Sequence, residues 1–259
     1  MRLQNVPPRR GLQWALMGMR TFWRQPLAMS GLFFLFMALV SLVSMLPVLG
    51  GAFALVLMPA FTAGLMAATQ TASEGQFPMP ATLWSALRAG PRRVPMLRLG
   101  ALYAGGFLLL MGASTLIDGG LFASVYLGGA PLKPELVQAS SFQTAMWATM
   151  LLYLPLSMLF WHAPALVYWQ GVAPVKSLFF SWMGCWRNKG AFVVYLLVWA
   201  GVFGAAAVGA MLAATLLGDV QMTLSIMMPL ALLAAAMFFT SMLFTVKDCF
   251  SATDASTAP

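Results

Sequence analysis

Six apolar runs organise the chain, at about 27–46, 52–71, 99–117, 144–168, 191–217 and 222–246. Each is close to the roughly 20 residues that a helix needs to cross a bilayer. The turn from Pro47 to Gly51 and the turn around Gly218-Asp219 are too short to separate domains, so the runs on either side of each pair as hairpins. A polar connection from Ser73 to Arg98 leads into the third run, and a loop at 118–143 joins the third to the fourth. That loop is long for a compact connection and is the place where a small ordered element is expected outside the membrane. The pattern predicts an all-α polytopic transmembrane bundle of six helices in three hairpins. It forms a single integral membrane domain over 1–250, with 251–259 as a short disordered tail.

A segment of mixed polarity precedes each hairpin. In the first, Leu12, Leu16, Met19 and Trp23 share one helical face while Gln13, Arg20 and Arg24 share another, the signature of an interfacial helix. In the second, Leu83, Trp84 and Leu87 oppose Ser85, Arg88 and Arg92; the third, 174–189, is aromatic on one side and ends in positive charge. Pro8 and Gly18, Pro80 and Gly90, and Pro174 and Gly184 are each ten residues apart. That spacing fits a threefold internal repeat, and it equally fits coincidence in a chain rich in both residues.

Composition moves the chain out of the soluble class. Of 259 residues 61% are apolar and 8% charged, with a mean hydropathy of +0.85, whereas a soluble domain carries about a quarter charged residues. The net charge of +8 raises nucleic acid as a partner. The basic residues, however, flank the apolar runs instead of massing on one polar face, so nucleic acid is not expected. They act as a topology signal instead. With the amino terminus in the cytoplasm, that side receives every lysine and arginine except Lys133, while Asp118, Glu135 and Asp219 fall outside. Both termini are therefore expected in the cytoplasm, with the amphipathic segments on the cytoplasmic side. Arg20 and Arg24 interrupt the first apolar stretch and no small-residue cleavage site follows, so the first span is expected to stay as an anchor.

Candidate chemistry is sparse. Cys185 and Cys249 with one histidine cannot build a standard zinc site, and no phosphate loop, nucleophile elbow or dinucleotide fingerprint is present. No catalytic residue, metal or cofactor is expected. The six runs carry no Asp, Glu, Lys or Arg away from their ends, which argues against ion-motive coupling and carboxylate hydrolysis. The candidate polar or kinked positions inside the membrane are His162, Pro59, Pro155 and Pro229. His162 reads first as an interfacial packing residue, and prolines are common in membrane helices because neighbours satisfy the freed backbone. Rows of small residues, Gly201, Ala205, Gly209 and Ala213 in the fifth run and Ala60, Gly64 and Ala68 in the second, are helix-packing devices. Packing within the chain is the default for them, with an oligomer as the alternative. The candidate surface for lipid, anionic lipid included, or for a membrane or cytoplasmic protein partner comprises Trp84, Arg88, Arg92, Arg93, Lys176, Trp182, Trp186 and Arg187. Trp14 and Trp23 join these as residues suited to the headgroup layer, where the plainer role of tryptophan is to anchor the bundle.

The run from Trp161 through Val167, followed by Pro174 to Ser181 and Trp186-Arg187-Asn188, resembles a family of six-span inner-membrane proteins of Gram-negative, chiefly betaproteobacterial, species. Those are more distantly similar to YciC-like proteins and to the membrane domain attached to some glycerophosphodiester phosphodiesterases. The resemblance implies a bacterial inner membrane and a six-helix unit. It implies no catalytic residues, since the phosphodiesterase's acidic metal ligands have no counterpart here. Pattern and resemblance together lead to the expectation of a non-enzymatic inner-membrane protein that organises lipids or partner proteins. The alternative is a transporter or permease for a small uncharged or amphipathic solute.

Overall fold

The computed structural model describes residues 2–47, 49–88, 90–217 and 220–251, and these are almost entirely helical. The helices in chain order are α1 (Arg10–Arg24), α2 (Pro26–Ser44), α3 (Gly50–Ser73), α4 (Ser85–Arg88), α5 (Gly90–Asp118) and α6 (Leu121–Tyr126). They continue with α7 (Pro134–Gln138), α8 (Ser140–Phe160), α9 (Ala163–Gln170), α10 (Pro174–Arg187), α11 (Lys189–Leu217) and α12 (Val220–Cys249). A 3-10 turn, Pro80–Trp84, leads into α4, and two short strands, β1 (Arg2–Leu3) and β2 (Phe250–Ser251), pair antiparallel. Among the described residues six helical stretches are long and apolar enough to cross a membrane: α2, α3, α5, α8 with α9, α11 and α12. The ends of the described chain meet in the β1–β2 ribbon, as an even number of crossings requires. The expected turn at Gly218-Asp219 and the tail beyond Ser251 lie outside the described residues.

Two boundaries depart from the hydropathy pattern. The third membrane helix begins at Gly90, well before the expected 99, because its arginine-bearing first turns are helical although polar, with Pro91 beside the helix start where a missing N–H costs nothing. The fourth span is broken at Trp161-His162 and not at Pro155, which α8 runs through. Pro164 stands at the start of α9, where its ring would clash with a continuing helix. Ser181 repairs the break: its hydroxyl donates to the Met158 carbonyl at 2.7 Å and accepts from the His162 N–H at 2.9 Å. α3 and α12 likewise run through Pro59 and Pro229. Loop 118–143 contains α6 and α7. The Asp118 carboxylate accepts the N–H groups of Gly120 and Phe122 at 2.9 and 2.6 Å, starting α6 after two glycines at φ +69° and +94°.

The chain divides into two compact units. The first comprises the described residues of Met1–Met37, Phe61–Ser85 and Met183–Pro259. Here α1 lies against α11 and α12. A side chain on Gly11 would meet the Ala191 carbonyl oxygen at 2.1 Å, and one on Gly18 would meet Ser241 Cβ at 2.3 Å. The buried face of α1 is therefore Gly11, Trp14, Ala15, Gly18, Thr21 and Phe22. Of the apolar face expected for an interfacial helix, Leu12, Leu16 and Trp23 are exposed and Met19 is half-buried, while the small-residue face that packs within the unit gave no signal in the sequence. Trp14, expected in the headgroup layer, is fully buried, its ring 5.3 Å from Phe192 and 6.1 Å from Tyr195. Tyr195 is hydrogen-bonded to Ser241 at 2.6 Å, and Phe33 and Phe36 pack on Phe239 at 5.6 and 5.8 Å. Small residues form the interface because lipid already solvates leucine, and only close contact favours one helix over the acyl chains.

The second unit comprises Ala38–Ala60 and Ala86–Trp182. Its centre is α5, which packs on α6, α8 and α9. An added Cβ on Gly100 would meet the Val56 carbonyl oxygen at 1.9 Å, so α5 and α3 also touch backbone to backbone. Phe107, Leu110, Met111, Phe122, Phe142 and Ala145 form a buried cluster.

The two rows of small residues behave differently. Ala60, Gly64 and Ala68 are buried, and Gly64 abuts the Leu83 backbone. Gly201, Ala205 and Gly209 are exposed, and a side chain on Gly201 or Gly209 would meet nothing within 4 Å, so packing within the first unit does not use that row. Accordingly Gly18→Val is expected to lower the melting temperature sharply, by overpacking of about 1–3 kcal/mol or more. Gly201→Val should leave it within a degree or two of the parent, both read by fluorescence-detected melting in detergent.

Candidate functional site

The charged chemistry sits at helix ends. In the first unit Arg10 grips Asp248 through two nitrogens, Nε to Oδ2 at 2.7 Å and a terminal nitrogen to Oδ1 at 2.8 Å, and the Trp14 indole N–H donates to the same Oδ2 at 2.6 Å. The carboxylate holds the Arg10 guanidinium protonated even more firmly than usual. Asn188, at the junction of α10 and α11, accepts the Val6 N–H at 2.8 Å and donates to the Gln4 carbonyl at 3.0 Å. Neither arrangement was expected, since the partners lie 238 and 182 positions apart. The only available signal was an acidic residue, Asp248, on a side otherwise rich in cations. Cys185 is buried, and burial pushes its thiol far above the ordinary range, which leaves it inert.

The candidate surface residues divide by environment. Trp84 is half-buried and packs edge-on against Phe61 at 5.1 Å, and Trp182 is also half-buried. Arg92 is half-buried and donates to the Tyr168 carbonyl at the end of α9. Arg88, Arg93, Lys176, Trp186 and Arg187 are exposed. Lys189 lies over the Trp186 ring at 5.3 Å, a cation–π contact. His162 is fully buried in the second unit and lines neither hollow described below.

Two of the hollows in the second unit bear on function. One, of about 700 Å³, lies between α5 and the start of α10. Its floor is Ala101, Leu102, Ala173, Pro174 and Val175, and its two charged residues are Arg98 and Lys176. Both cations are exposed, and among the described residues ion pairing is confined to Arg10 and Asp248. Sequence reading named Lys176 and missed that Arg98 shares its site, because the two lie on separate helices. The other hollow, of about 580 Å³, is walled by α2, α3, α5, α6 and α8 and has no charged residue. The described residues hold no group of three or more His, Cys, Asp or Glu that could bind a metal.

The chain is similar over most of its length to a known protein. Over 254 residues the chain is 37% identical to a probable inner membrane protein of Burkholderia thailandensis, covering 96% of this chain and 94% of the relative. The chain belongs to that inner-membrane family. No family model and no solved structure matches it. Membership agrees with the six membrane-length helices and locates the protein in a bacterial inner membrane.

At the helix ends, Asp248→Asn should cost about 1–2 kcal/mol, the worth of a partly exposed charged hydrogen-bond pair. It should also speed amide exchange at Leu3 to Val6, measured by hydrogen–deuterium exchange.

Proposed function

We propose that the protein is a non-enzymatic membrane module that gathers anionic lipid at its cytoplasmic face. The observation that carries this reading is the hollow between Arg98 and Lys176: two exposed cations beside an apolar floor. An anionic phospholipid has the complementary form, a phosphate for the guanidinium and ammonium and an acyl chain for Leu102, Pro174 and Val175. Arginine engages phosphate through two parallel hydrogen bonds and lysine adds a point charge. The placement of this end in the cytoplasm rests on the distribution of basic residues, with Lys133 the single exception. In the first unit, exposed Trp186 with Lys189 is likewise suited to a headgroup layer. The distant resemblance to YciC-like proteins and to the phosphodiesterase membrane domain is consistent with a membrane unit that presents lipid without acting on it chemically.

Each cation near an anionic surface contributes about 1 kcal/mol. Arg98→Gln with Lys176→Gln should therefore weaken phosphatidylglycerol binding roughly thirtyfold. Native mass spectrometry of the purified protein with phosphatidylglycerol and phosphatidylcholine would show it. Equal retention of both lipids by the parent would sink the proposal.

A permease reading draws on the uncharged hollow. It predicts glycerol uptake into proteoliposomes above that of empty vesicles, abolished when a large side chain at Gly51, on the wall of that hollow, fills it.

A further inference from the structure

The uncharged hollow of the second unit has features that gathering anionic lipid does not use. Its volume, about 580 Å³, lies within the range of small-molecule sites. Aromatic rings form much of the wall: Tyr103 stacks on Phe107 at 6.3 Å, Tyr126 stacks on Phe122 at 5.8 Å, and Tyr153 meets Phe107 edge-on at 6.3 Å. Hydroxyls stand among them: those of Tyr103 and Tyr153 face each other at 3.3 Å, Thr149 and Tyr126 add one each, and that of Ser44 is turned back to the Val40 carbonyl at 2.8 Å.

Thr149 departs from the habit of its neighbours. A threonine inside a helix can turn its hydroxyl back to a carbonyl of the preceding turn. Thr69 does so to Leu65 at 2.9 Å, Thr144 to Ser140 at 2.8 Å and Thr240 to Ala236 at 2.7 Å. Thr149 is 6% exposed, lines the hollow and makes no hydrogen bond among the described residues. The hydroxyl is not sealed within the protein but opens onto the hollow, where an entering molecule can pair with it.

We propose that the hollow is a binding site for one uncharged lipid, an apolar body carrying a hydroxyl or ester head. The head is held by Thr149 and the Tyr103–Tyr153 pair, and the body lies against Leu55, Met58 and Phe107. An ionised head is excluded because the wall offers it no counter-charge. One phenol can donate to the other and still leave a donor and lone pairs for the ligand, so the site accepts an alcohol or an ester. This inference is independent of the Arg98–Lys176 hollow and predicts a different ligand.

The test uses the delipidated full chain in detergent, with monoolein as the neutral probe, oleate as the anionic one and phosphatidylglycerol as the control for the basic hollow. Native mass spectrometry should show one monoolein bound in preference to oleate. Thr149→Val, which keeps shape and removes the hydroxyl, should weaken monoolein about fivefold, the worth of one hydrogen bond. Gly51→Phe should abolish monoolein binding: Gly51 lines the hollow, and a Cβ there meets nothing within 4 Å, so the ring can fill the space without strain at its root. Neither change should alter phosphatidylglycerol binding. If Thr149→Val lowers the melting temperature, Gly51→Phe decides alone. Monoolein binding that survives Gly51→Phe, oleate binding as tight as monoolein, or no monoolein adduct on the folded parent would each overturn the proposal.

Discussion

Backbone-to-backbone contact is the interaction on which the rest of this structure depends. In water, apolar faces drive helices together; in a bilayer the acyl chains compete on equal terms, and association rests on packing and hydrogen bonds. The chain answers with glycine at the crossings. Gly11 and Gly18 bring α1 onto α11 and α12, Gly64 brings α3 onto the turn before α4, and Gly100 brings α5 onto α3. Each approach is too close for a methyl group, so within each unit the aromatic clusters and buried polar contacts sit in positions that these crossings set. Gly18 brings α1 onto α12 at Ser241, and on the same helix pair Trp14 reaches Asp248, while Ser241 also bonds Tyr195 of α11.

The sequence was legible where a feature is local and periodic. Span number, helical class and the basic flanks follow from run length and composition, and they hold. The errors share one cause: hydropathy weights bulky side chains, whereas packing in a membrane is carried by small ones. The stripe of Leu12, Leu16 and Trp23 was conspicuous and is exposed, as an interfacial face would be, while the face of Gly11, Ala15 and Gly18 was quiet and is buried. In the fourth span Pro155 was only one of the candidate kink positions, and the break falls instead at Trp161-His162, defined by Pro164 and the hydroxyl of Ser181. The candidate sites were only partly legible because they are assembled across the chain. Lys176 was visible as a cation, but its pairing with Arg98 around an apolar floor needs α5 and α10 side by side. Thr149 carries no signal at all until its hydroxyl is seen to have no carbonyl partner.

Charge is sorted by place. Every ion pair among the described residues is at a helix end, and the hollow walled by the second unit's helices has none. That separation keeps the cost of desolvating ions out of the spans. It also makes the two hollows chemically unlike: one carries two cations beside an apolar floor, and the other has no charged residue.

The β1–β2 ribbon and the Arg10–Asp248 clasp also bear on how the protein is made. α1 is completed by a residue at the end of α12, so α1 must wait at the membrane, its guanidinium and indole without their final acceptor, until α12 has been made. The residues of the second unit have all emerged before Met183 does, and that unit can pack while the first is still being synthesised. Assembly of the first unit is thereby coupled to synthesis of its last helix. Without α12, Asp248 and Ser241 are missing and α1 is left without its clasp.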